Sequence, residues 1–86
     1  MAINFLNNPK VGDNVKIEIG NSADLTIFHD GNSIIRNAVG DLYIDNYADD
    51  KDVILQCDNG SGALTTYLQL DGSDVSTKIL TQKVIM

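Results

Sequence analysis

Asp24-Leu25-Thr26-Ile27 returns as Asp41-Leu42-Tyr43-Ile44 and, loosened, as Asp52-Val53-Ile54-Leu55. In each copy apolar and polar positions alternate, and an Asp follows within a few residues. Alternation with period two places successive side chains on opposite faces, which is a strand pattern and not a helical one. A degenerate strand-and-turn repeat in a chain of 86 residues points to a rung-like β architecture and away from a compact enzyme. Rungs of this kind bury little by themselves and stack on neighbours, either later rungs or the same rungs of other subunits.

The same reading extends outward along the chain. Val15-Lys16-Ile17-Glu18-Ile19 alternates strictly, with Val15, Ile17 and Ile19 on one face. Leu25 to His29 forms the next strand. Asp30-Gly31 is a tight-turn pair, so Ser33 to Arg36 returns as a hairpin or a sharp corner. Strands are expected at 41–45, with Leu42 and Ile44 inward, and at 52–57, with Val53, Leu55 and Cys57 on one face. The longest runs from Leu64 to Leu70 and groups Leu64, Thr66, Leu68 and Leu70. A last one covers 75–79. Between them lie an acidic loop at 46–50 and the glycine-rich loop Asp58-Asn59-Gly60-Ser61-Gly62. No window holds helical spacing for three turns, and the expected class is all-β.

Composition narrows the function. A net charge of −6 argues against nucleic acid, whose phosphates demand a basic stripe. Eleven of the twelve acidic residues are Asp, Glu18 being the exception. Asp belongs to turns and strand ends, so the acidity follows from the number of turns. Cys57 is the only cysteine, which rules out a disulfide within the chain and reads as a small buried hydrophobe assembled in a reducing compartment. No apolar run is long enough to cross a membrane as a helix, and no basic-then-apolar leader opens the chain. So short a chain is marginal alone, and oligomerisation is the usual remedy where disulfides and metals are missing.

Chemistry-bearing clusters are few. His29 beside Asp30 reads as a strand-end histidine next to a turn aspartate, not as an acid–base pair or a metal ligand. Asp45, Asp49, Asp50 and Asp52 supply oxygens without the spacing or closing Glu of a calcium loop. A glycosidase needs two carboxylates over a sugar groove, and Tyr43, Tyr47 and Tyr67 offer little stacking platform. The expectation is therefore neither an enzyme nor a cofactor protein, with no catalytic or metal-binding residues.

Leu25-Thr26-Ile27-Phe28-His29-Asp30-Gly31-Asn32-Ser33, then Ile35-Arg36, then Gly40-Asp41-Leu42-Tyr43-Ile44, resembles a module of bacteriophage virion proteins. In that module a strand ending in aromatic-His-Asp-Gly precedes an Ile-Arg strand and a Gly-Asp-Leu-Tyr-Ile segment. Asp49 to Gln56, Gly60-Ser61-Gly62 and Thr66 to Gly72 resemble its second half, so the likeness covers about residues 20 to 74. It implies a tail-fibre or tailspike-like structural protein of marine and related phages. Such proteins are homotrimers of intertwined or stacked strands, located in the virion after assembly in the host cytoplasm.

The resulting expectation has three parts. Residues 1–14 form a first strand or docking segment, 15–80 the β-repeat fibre module, and 81–86 an apolar segment that packs on something or continues in a longer chain. The fibre is an intertwined trimeric β-helix or β-prism. Its shared core comprises Val15, Ile17, Ile19, Leu25, Ile27, Leu42, Ile44, Val53, Leu55, Leu64, Leu68 and Leu70. Expected partners are two sister chains and other virion proteins, on a tail fibre or a capsid fibre. A carbohydrate-binding module, contacting host-surface glycans through loops 45–51 and 58–63, is the alternative.

Overall fold

The computed structural model describes residues 3–81, 83 and 85. The described residues hold six strands and no helix: β1 (Ile17–Ile19), β2 (Leu25–His29), β3 (Ser33–Asn37), β4 (Val53–Asp58), β5 (Leu64–Asp71) and β6 (Ser76–Ile79). They form two antiparallel three-stranded sheets, ordered β1-β2-β3 and β4-β5-β6. The chain divides into two units at the same place, Met1–Tyr43 and Ile44–Met86. The all-β class is as the alternation required.

In the first unit β2 is central. Ile17, Ile27 and Ile35 lie in one cross-strand row, and Ile19, Leu25 and Asn37 in the next. Directly opposed residues project to the same side of a sheet, so these rows make one face. The other face carries Glu18, Thr26 and Arg36 in a row, beside Phe28 and Ile34. Lys16 and Arg36 stand 5.0 and 5.3 Å from the Phe28 ring centroid, where the ring's quadrupole attracts cations. The β2–β3 turn is a three-residue hairpin loop. Gly31 adopts φ 105° there, the left-handed region that glycine enters without penalty, and the Asn32 amide donates to Asp30 Oδ1 at 3.2 Å.

The second unit repeats the plan. Leu55, Leu68 and Ile79 form one row, and Val53, Leu70 and Thr77 the next. Here the register shifts between Leu55 and Gln56: Leu55 opposes Leu68, but Gln56 opposes Thr66. Tyr67 is the extra residue of a β-bulge. A one-residue slip exchanges faces, so Leu64, opposite Asp58, falls on the side of Ile54 and Gln56. The expected grouping of Leu64 with Leu68 and Leu70 is corrected accordingly. The Gln56 Nε2–Thr66 Oγ1 contact of 3.4 Å agrees with the shifted register.

Three further expectations change. Residues 41–45 form no strand, because alternation confers competence to pair and no edge of this chain receives them. Val15 lies ahead of β1, beyond the turn at Asn14 with its φ of 65°. Residues 3–12 carry no strand. Of the expected C-terminal segment 81–86, Gln82, Val84 and Met86 lie outside the described residues, as do Met1 and Ala2 of the expected segment 1–14.

Candidate functional site

Loops fix the sheets through local polar chemistry. In the second unit Asp52 accepts from Gln69 Nε2 at 2.7 Å and from the Gly72 amide at 2.9 Å. This ties the start of β4 to the end of β5. Asn46 Nδ2 donates to the Asp52 carbonyl at 2.8 Å, and Asn46 Oδ1 accepts from the Ala48 amide at 3.1 Å. The acidic loop is thus braced by Asn46. Among the described residues no group of three or more His, Cys, Asp or Glu is arranged to hold a metal ion.

Asp71 organises the β5–β6 turn. Its carboxylate accepts from Lys78 Nζ at 2.8 Å, Ser73 Oγ at 2.9 Å, and the Ser73 and Asp74 amides at 3.1 Å each. Lys78 first, then Ser73 and the Asp74 amide, hold this carboxyl far below its ordinary 3.8. The same bond raises Lys78 above its ordinary 10.5. Val75, the last residue of this turn, takes φ 51°, a conformation a β-branched residue seldom adopts.

The glycine-rich loop is closed by its own side chains: Asp58 Oδ2 accepts from the Gly60 amide and Asn59 Oδ1 from the Ser61 amide, both at 2.8 Å. Tyr67 donates its hydroxyl to the Asp58 carbonyl at 2.6 Å. Tyr47, in contrast, is fully exposed. His29 shares a hydrogen bond of 2.9 Å between Nδ1 and Ser33 Oγ across the hairpin. This is the strand-end role the sequence suggested.

The dominant feature is what these braces leave open. No hydrophobic residue among those described is buried, and the one buried side chain is Thr26, 8% exposed at the centre of β2. The chain exposes 7868 Å². A compact monomer of 9.3 kDa would expose about 5000 Å², and two separate compact halves together about 6000 Å². An excess of roughly 1900–2900 Å² per chain remains, depending on the reference.

Part of the exposed surface is aliphatic and faces one way in each sheet. Ile17, Ile19, Ile27 and Ile35 are exposed on the first, and Ile17, Ile27 and Ile35 line a groove of about 390 Å³ together with Val11 and Val15. Leu55, Leu70 and Ile79 are exposed on the second, where Val53 and Leu68 are half-buried. Of the twelve expected core positions, eight lie on these two faces: Ile17, Ile19, Leu25 and Ile27 on the first, Val53, Leu55, Leu68 and Leu70 on the second. Val15 sits at the margin of the first, Leu64 is on the opposite side of the second, and Leu42 and Ile44 belong to neither sheet. Cys57, expected to be buried, is exposed. Ile35 and Ile79 complete the rows and were missed; their cross-strand register with Ile27 and Leu68 identifies them, and a single-strand reading does not reach it.

Scans against protein-family models, curated proteins and solved structures each return no match. No helix among the described residues is long and apolar enough to cross a membrane.

Proposed function

We propose that this chain is a structural module of a phage fibre or related virion appendage, a β-rich homotrimer whose sister chains cover the two apolar sheet faces. The observation that carries the reading is the absence of any buried hydrophobic side chain among the described residues, set against two ordered aliphatic faces. In a three-membered ring each pairwise interface would bury up to about the excess area of one chain, roughly 1900–2900 Å², from the top of the standard class into that of obligate interfaces. The module's likeness to phage virion proteins supplies the biological setting, assembly in the host cytoplasm and service in host attachment. The mechanism is mechanical: folding and association are one event, and the polar outer surfaces keep the rod soluble.

Sedimentation equilibrium on the purified chain tests this. The expected mass is three times 9.3 kDa across the micromolar range. A single-chain mass with a cooperative melt would mean that the faces close without sister chains, and would end the reading.

A second reading, host-glycan binding through the loops, draws on Tyr47, which stands free. Glycan-array binding that Tyr47→Ala abolishes would favour it.

A further inference from the structure

Residues 41–45 have a strand's sequence and no strand's partners. Leu42 is 49% exposed, Tyr43 80% and Ile44 67%, and no ladder includes them. The chain just before them is committed elsewhere: the Ala38 amide donates to the Asp24 carbonyl at 2.8 Å. Asn37 Nδ2 closes on the Gly40 carbonyl at 2.8 Å, with Gly40 at φ 76°. This closed turn leaves 41–45 off the β3 edge of its own chain. We propose that 41–45 is an intersubunit strand, which adds to the open β3 edge of a second copy of this chain. The inference rests on the trimeric reading and specifies how the ring is joined.

Among the described residues four edges are open: β1, β3, β4 and β6. The segment carries Leu42 and Ile44 on one face and Asp41, Tyr43 and Asp45 on the other. Its acceptor must continue the apolar face on one side and offer a cation on the other. The outward positions of β4 are Ile54, Gln56 and Asp58, with no cation. On β1 the only outward residue within the strand is Glu18, an anion, and the nearest cation, Lys16, lies ahead of the strand. On β6, Lys78 is already paired with Asp71 at 2.8 Å. Only β3 combines an aliphatic, Ile35, with an outward cation, Arg36, that makes no ion pair among the described residues.

Antiparallel addition with Arg36 opposite Asp41 sets the whole register: Ile35 meets Leu42, Ile34 meets Tyr43 and Ser33 meets Ile44. The row Ile17–Ile27–Ile35 then gains Leu42 as its fourth member, which brings that residue, exposed in the lone chain, into the shared face. Backbone parity agrees. Because the Ala38 amide points at β2, alternation directs the Ile34 and Arg36 amides the same way and turns those of Ser33, Ile35 and Asn37 to the open edge. Donation from each copy to the next is head-to-tail, and it closes as a ring.

The register is tested by cross-linking. Ile34 and Tyr43 would form a non-hydrogen-bonded pair, whose Cβ separation suits a disulfide. Two chains are made in a Cys57→Ser background, one with Ile34→Cys and one with Tyr43→Cys, then unfolded, mixed, refolded together and oxidised. The expected result is a covalent two-chain band from the mixture and none from either chain alone. If the mixture keeps a three-chain mass in solution yet gives no band, the intersubunit strand is overturned and the trimer stands. If the mass is that of one chain, both fall. Leu42→Pro is the second arm. It removes the amide that this register turns toward Ile35 of the next copy and disturbs no ladder of the lone chain, so the far-UV spectrum is expected to keep its β character while the oligomer is lost. An unchanged oligomer would overturn the proposal.

Discussion

Leu68 sits at the centre of β5 with Leu55 and Ile79 on either side, and Leu68→Asp probes the proposed association surface directly. Leu68 is already half-buried in the single chain, so the leucine has about 1 kcal/mol of burial left to gain from sister chains. The introduced carboxylate weighs more. Enclosure raises a carboxyl by about 3 units, and protonation caps the cost near 4 kcal/mol. Each chain then loses about 5 kcal/mol and a trimer about 15 kcal/mol, and three like charges would share one interior. Even if water reached the carboxylates and cut this to a third, about 5 kcal/mol remains, between three and four decades in the association constant. Leu68→Ala removes only the apolar share, about 3 kcal/mol per trimer, near a hundredfold. Ser61→Asp places the same charge in a loop with no place in the apolar rows and is expected to be silent. Sedimentation equilibrium should give one chain for Leu68→Asp and three for Ser61→Asp, with Leu68→Ala dissociating only on dilution. Leu68→Asp at the wild-type mass and concentration would refute the assignment of this face to an interface.

Gly72→Ala would drive a Cβ into the Lys51 carbonyl oxygen, a backbone atom that has little room to yield, and a loss of about 1–3 kcal/mol is expected in thermal melts. Tyr67→Phe removes the hydroxyl that holds the Asp58 carbonyl at 2.6 Å, for about 1 kcal/mol by denaturant titration. The Asp71–Lys78 pair predicts a stability plateau. A lowered carboxyl contributes fully above its ordinary 3.8 and loses that contribution as pH falls through its folded value; a raised ammonium contributes fully below its ordinary 10.5 and loses it as pH climbs through its folded value. Melting points of Asp71→Asn should therefore be lower on the plateau and fall less steeply in acid than wild type; identical acid limbs would count against it.

Six of the seven expected strands are present, and their ends differ by two residues at most. The expectation for 15–19 shrinks to Ile17–Ile19, and that for 64–70 gains Asp71. These segments were legible because alternation and turn chemistry are local. The rest depends on partners. Asp41-Leu42-Tyr43-Ile44-Asp45 has the same local signature as Leu25 to His29, yet β2 finds neighbours on both sides and 41–45 finds none within the chain. Leu64 was misplaced because a bulge at Tyr67 depends on the pairing with β4 and leaves no mark on the alternation of β5. Cys57 looked buried because its neighbours alternate, but alternation tells which residues share a face and not whether anything covers it.

The sequence repeat and the structural repeat also fail to coincide, and the mismatch is informative. Asp24 to Ile27 leads into a central strand, Asp52 to Leu55 into an edge strand, and Asp41 to Ile44 into none. What recurs in space is the three-stranded meander, with Ile27 and Leu68 in corresponding places. In each sheet one row is aliphatic throughout, Ile17–Ile27–Ile35 and Leu55–Leu68–Ile79. The adjacent row ends on a polar residue, Asn37 or Thr77. A sheet that serves only its own chain has no need of a row carried to its outer strand, because an exposed edge is safer when polar or charged. Here the fully aliphatic row runs to β3 in one unit and to β6 in the other. On the proposed reading, apolar outer positions on open edges mark where the sheet continues or is covered, which would make Ile35 and Ile79, beside the central Ile27 and Leu68, the positions on which assembly turns.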